Sequence, residues 1–148
     1  MRLIVFALLA FIITSCSSTP VDPYHEVEFS AIVKEFEDTC GVKVKSSILF
    51  VEELNGSAVG VCYMGLYVVF IDKDYWMFRS SKEERFNLIM HELGHCDLFR
   101  PHNTKQIVME INGTNQVVPE SIMYPYVFPI PDYPGVKEYY MNELCNGN

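Results

Sequence analysis

The chain has 148 residues, 49% of them hydrophobic and 14% aromatic, which fits one domain on the usual scale of ~100–200 residues and excludes a disordered chain. Nineteen acidic against eleven basic side chains give a formal charge of −8. That balance excludes nucleic acid as a main partner, because phosphate binding needs clustered Lys and Arg.

The first segment reads as an address. Arg2 precedes an apolar and small-residue run, Leu3 to Ile13, too short to cross a bilayer as a mature helix, so residues 1–15 are expected to be a removable export signal. The junction Ile13-Thr14-Ser15-Cys16 resembles the lipobox of bacterial lipoprotein signal peptides. The resemblance implies cleavage before Cys16 and acylation of its thiol and amine, and several acyl chains at ~0.8 kcal/mol per buried methylene hold a domain on a membrane durably. Ser17 stands where an inner-membrane retention signal has Asp, so the expected location is the bacterial cell envelope, at the outer membrane in a Gram-negative cell. Residues 16–23, Cys16 and a stretch rich in Ser, Thr, Pro and Asp, read as lipidated cysteine and tether, and residues 24–148 as the domain.

Within the domain, Val27, Ala31 and Phe36 have helical spacing and Gly41 is a fitting stop. Val42 to Leu54 reads as a strand, Asn55-Gly56 as a turn, and Val59 to Met64 and Leu66 to Ile71 as two further strands covered on both faces. Tyr63, Tyr67, Phe70, Tyr75 and Trp76 are read as packing around this sheet. Ser80-Ser81-Lys82-Glu83-Glu84 offers a capping box that starts a second helix. Phe86, Ile89, Leu93 and Cys96 share one stripe of that helix, to be packed on the sheet, and the opposite face is expected to be free for chemistry. Ile107 to Ile111 suggests a short strand or a hairpin around Asn112-Gly113. Ser121 to Pro134 has too many prolines for a regular element, and Val136 to Cys145 reads as a closing helix stopped at Asn146-Gly147. The expected fold class is α+β: a small mixed sheet packed against the second helix, with an N-terminal and a C-terminal helix. Cys40, Cys62, Cys96 and Cys145 form an even set in an oxidising compartment and predict one or two disulfides, with three pairings open.

Three of the four histidines fall between His91 and His102, and His91-Glu92-Leu93-Gly94-His95 has the pattern HExxH. Residues four apart on a helix share a face, with side-chain roots about 5–6 Å apart, near enough for two imidazoles to grip one Zn²⁺. The ion lowers the pKa of water toward ~7, and a glutamate beside the first histidine can take the proton. Those parts point to hydrolysis of a peptide bond. A catalytic zinc wants a third protein ligand and an open position, and His102 is the candidate. A closed, structural zinc would need a fourth ligand, and the candidates are Asp97, better placed, Cys96 and His25.

The stretch resembles the metzincins, zinc peptidases with the longer motif HExxHxxGxxH. The chain departs from it in having Leu98 at the glycine position and Pro101 at the third-histidine position, so that His102 comes one residue late, after Arg100-Pro101. Ser121-Ile122-Met123-Tyr124-Pro125 resembles the Met-turn, which implies that Met123 forms an apolar floor beneath the metal site. Where astacin-like members have a tyrosine two residues after that methionine, this chain has Pro125. Cys96, His102 and Asn103 are also similar to those of bacterial metallopeptidase-like lipoproteins with HELGHC. The resemblance implies a zincin/metzincin-like fold, zinc held by His91, His95 and His102, Glu92 as catalytic base, a peptide or protein substrate, and Leu66 to Ile71 as an edge strand that pairs with it. The competing function is that of a non-catalytic zinc-binding envelope lipoprotein, using the same scaffold to bind a partner.

Overall fold

The computed structural model describes residues 26–133 and 135–147. The export signal, Cys16, the tether and His25 lie outside the described residues. A 3₁₀ turn, Val27–Phe29, runs into α1, Ser30–Cys40, which buries Val33 and Phe36. Gly41 ends the helix at φ +66°, a left-handed conformation that only glycine adopts cheaply, and its amide returns to the Glu37 carbonyl.

Strand β1, Ser47–Val51, is shorter than the extended run expected over Val42 to Leu54. The amides of Val44 and Lys45 go instead to side-chain carboxylates, Glu37 Oε1 at 3.0 Å and Asp97 Oδ1 at 2.6 Å, so no neighbouring strand takes them. Strands β2, Gly60–Tyr63, and β3, Val68–Asp72, complete a mixed sheet in the order β1-β3-β2, with β1 parallel and β2 antiparallel to β3. The Leu66 to Ile71 run is therefore the centre of the sheet, contrary to its expected place at an edge. Its consecutive apolar residues fit that position: Val69 and Ile71 are fully buried on one face, and Val68 and Phe70 are half-buried on the other. The edge toward the second helix is β2.

A π-helical turn, Tyr75–Arg79, which periodicity did not announce, sets Trp76 edge-on to Phe29 with ring centroids 5.0 Å apart. Helix α2, Lys82–Cys96, starts at Ser81, whose hydroxyl accepts from the Glu84 amide while the Glu84 carboxylate accepts from the Ser81 amide. Every residue from Phe86 to Gly94 is buried. The face opposite the sheet is covered as well, by Ile122, Met123 and Leu144 of the C-terminal third, but His91 and His95 on it still reach a cleft.

That third begins with a hairpin, β4 at Gln106–Ile111 and β5 at Thr114–Pro119, turned at Asn112 and Gly113, both with positive φ as a type I′ turn requires. An irregular segment follows, then α3, Val136–Asn146, ended by Gly147. Disulfides join Cys40 to Cys145, tying α1 to α3, and Cys62 to Cys96, tying β2 to α2. The architecture is α+β, three helices and two small sheets among the described residues. No described helix is long and apolar enough to cross a membrane.

Candidate metal centre

His91 and His95 project from one side of α2, and the chain beyond the helix brings His102 back to them. One ring nitrogen from each lies within 4.8 Å of the others, so the three form a group that can hold a metal ion. Ring centroids are 4.6 Å apart for His91 and His95, 5.2 Å for His91 and His102, and 4.7 Å for His95 and His102.

Hydrogen bonding decides which nitrogens face inward. Nδ1 of His91 stands 2.8 Å from the Ile122 carbonyl and Nδ1 of His95 stands 2.6 Å from the Arg100 carbonyl. A carbonyl only accepts, so each neutral ring carries its one proton on Nδ1 and turns a bare Nε2 lone pair toward the other. Those two Nε2 atoms are 3.1 Å apart. Two acceptors with no proton between them repel unless a cation sits at their meeting point. Nitrogens each 2.0–2.1 Å from one tetrahedral Zn²⁺ would stand about 3.3–3.4 Å apart. The donor set therefore fits a divalent ion. Burial, helped by the neighbouring His95 and His102, lowers the His91 pKa to about 4 against the pull of the Ile122 carbonyl. Burial, and more weakly His102, also lowers that of His95, against the Arg100 carbonyl. Both rings are thus neutral ligands near neutral pH.

The late arrival of His102 has a backbone explanation. Past the helix the Asp97 amide still reaches Leu93, while the Arg100 amide folds back 2.9 Å to the Gly94 carbonyl. The reversal is made by Phe99 at φ +56°, a left-handed conformation costly for a residue with a Cβ, and its ring rests edge-on to Tyr67. His102 follows three residues later, and the amide of Asn103 then bonds the Met123 carbonyl at 2.8 Å.

Glu92, 5% exposed, faces the edge strand. A Cβ on Gly60 of β2 would stand 2.8 Å from Glu92 Oε1 and 2.7 Å from Leu88 Cδ1, so glycine is what allows this backbone to lie against the carboxylate. Burial pushes the Glu92 pKa up to about 8, with the Cys62 amide pulling the other way. Met123 is fully buried against α2: a Cβ on Gly94 would meet its Sδ at 2.5 Å, so the small residue inside HELGH makes room for the methionine. Neither Cys96 nor Asp97 joins the histidines. Cys96 is bound to Cys62, and one Asp97 oxygen takes the Lys45 amide.

The histidines and Glu92 open on a cleft of about 640 Å³, walled on one side by Ser57 to Cys62 and on the other by Pro125, Tyr126 and Val127. Tyr75, read from the sequence as packing, lines this cleft, as does Leu88. Gly60, Leu88 and Glu143 also went unnoticed in the sequence, and Arg100 and Ser121 were legible there only as parts of the chain reversal and of the Met-turn string. For Glu143 there was a signal: it sits with Val136, Tyr140 and Leu144 on the buried stripe of α3, where a lone acid needs a partner. Comparison with protein-family models, with curated proteins and with solved structures finds no match.

Proposed function

We propose that the chain is a membrane-anchored, zinc-dependent peptidase with a metzincin-like site, tethered to the bacterial envelope through Cys16. The observation that carries this reading is the pair of inward-facing, proton-free Nε2 atoms of His91 and His95, 3.1 Å apart beside a buried glutamate at the floor of a cleft. Three imidazoles with no carboxylate or thiolate suit zinc, and with Cys96 in a disulfide and Asp97 outside the group the histidines form, a fourth position is left for substrate or water. Two further details support the family reading. The left-handed Phe99 precedes His102 by three residues, the same interval as glycine to histidine in HExxHxxGxxH, so the extra residue is absorbed before the turn. Met123 packs on the motif helix, as the Met-turn resemblance implies.

In this reading His91, His95 and His102 hold the ion, which supplies Lewis acidity toward water and the scissile carbonyl. Glu92 takes the proton of the attacking water and returns it to the departing amine. The Cys62 amide favours its charged form against burial. An extended peptide would add to β2, whose residues wall the cleft, and not to β3, whose two edges are already paired.

The test is digestion of a peptide library by the purified zinc-loaded chain and by Glu92→Gln. Chelator-sensitive cleavage that disappears in the variant while zinc stays bound is expected. Cleavage that persists in Glu92→Gln overturns the mechanism. A chain that holds zinc yet cleaves nothing speaks for the non-catalytic lipoprotein.

A further inference from the structure

Glu143 lies on α3, does not line the cleft, and is 4% exposed. Its two oxygens reach two different segments. Oε1 accepts from Arg100 Nη2 at 2.6 Å, and Oε2 accepts from the Ser121 hydroxyl at 2.5 Å. Arg100 also gives Nη1 to the Glu143 and Leu144 carbonyls, both at 2.7 Å, capping the end of α3. The Ser121 oxygen in turn accepts from the Met123 amide at 2.9 Å, which closes the Met-containing turn.

These two segments also present the carbonyls that orient the helix histidines. The Arg100 carbonyl takes the Nδ1 proton of His95, and the carbonyl of Ile122, next to Ser121, takes that of His91. The Asn103 amide bonds the Met123 carbonyl, so the neighbour of His102 is fastened to the same turn. Neither segment belongs to a helix or strand, so no ladder of backbone bonds holds either in place. We propose that Glu143 is a positioning residue for the metal centre: one buried carboxylate fixes the two stretches of chain whose carbonyls set the ring orientation of His91 and His95. This rests on the metal-centre reading of the three histidines.

A hydrogen-bond partner of a metal-bound histidine typically changes affinity ~10–100-fold when lost, and Glu143 acts one bond further out. Glu143→Gln keeps the shape but removes the charge that Arg100 pairs with and leaves one acceptor oxygen where Arg100 and Ser121 both donate. Ser121→Ala removes the other arm alone. Zinc affinity is measured by chelator competition, and the visible absorption of the Co²⁺-loaded full chain reports ligand geometry, both at a temperature where circular dichroism shows each variant folded. Val136→Ala, a buried α3 substitution outside this network, serves as the control for a loss of stability alone.

Both network variants are expected to weaken zinc binding about tenfold, the lower end of that range, and to shift the cobalt bands, while Val136→Ala alters neither. Folded variants that match wild type, or that change no more than Val136→Ala, overturn the proposal. Should Glu143→Gln not fold, Ser121→Ala decides it by the same criterion. A wild-type chain that takes up neither metal overturns the metal-centre reading itself, a different failure from variants that bind normally.

Discussion

The two flanks of α2 serve one site but are built by different means. On the sheet side β2 is laddered to β3, joined covalently to the helix through Cys62 and Cys96, and pressed by its Gly60 backbone onto Glu92. On the other side the supporting segments have no regular structure and are held by side-chain and single backbone bonds, with Arg100, Glu143 and Ser121 at their centre. Glu92 thus leans on covalent and ladder bonds, the imidazoles on a polar network. Damage to the first flank should spare the metal and damage to the second should release it.

The largest effect falls on the ligands themselves. His91→Ala or His95→Ala should lower zinc affinity by more than ~100-fold, beyond what loss of a ligand's hydrogen-bond partner causes. Retained affinity in equilibrium competition would remove the centre altogether.

Two glycines then separate the flanks. Alanine at Gly60 would crowd Glu92 and Leu88, and alanine at Gly94 would crowd Met123 and Leu144, whose Cδ1 lies 3.0 Å from the new Cβ. Each should cost ~1–3 kcal/mol in urea unfolding, as overpacking does. Gly60→Ala is expected to lose hydrolysis and keep zinc affinity, whereas Gly94→Ala weakens zinc. The reverse pattern, read from the same two assays, would break the division between flanks.

The disulfides sharpen it further. Cys40–Cys145 spans 105 positions and Cys62–Cys96 spans 34, and loop-closure entropy makes the longer one worth about 1 kcal/mol more. Thermal unfolding should therefore show the larger drop for Cys40→Ala with Cys145→Ala. Hydrolysis should fall more for Cys62→Ala with Cys96→Ala, because that pair ties the edge strand to the motif helix.

A smaller effect concerns pH in the metal-free chain. Glu92 binds its proton more tightly folded, with a pKa of about 8, than at its ordinary value of 4.5, so its contribution is full below 4.5 and is lost as pH rises through about 8. His91, lowered from 6.5 to about 4, acts in the opposite sense and only on the acid side of 6.5. Between pH 6.5 and 8, unfolding free energy should decline in wild type more steeply than in Glu92→Gln. Equal slopes in urea titrations with chelator present would mean that Glu92 does not hold that proton.

Much of the site could be read in the chain because its parts are local. A separation of four positions brings His91 and His95 to one side of a helix, Ser81 and Glu84 start that helix, and Asn112-Gly113 turns a hairpin, all through bonds spanning a few residues. The third histidine of the group, His102, was nameable for the same reason, although the left-handed turn at Phe99 that delivers it was not, since a bulky residue enters that conformation only when its surroundings impose it.

What local pattern left open was settled by contacts between distant segments. Strand order put the Leu66 to Ile71 run at the centre and β2 beside the cleft, because apolarity tells a strand that it is buried but not which neighbours bury it. Four cysteines became two particular pairs once helices and sheet had packed. Arg100 and Glu143, 43 positions apart, meet because the closing helix lies behind the motif helix, where an unpaired charge would be costly to bury. Spacing along the chain determined which groups can act together on one helical turn; only the packed fold decided what holds them still.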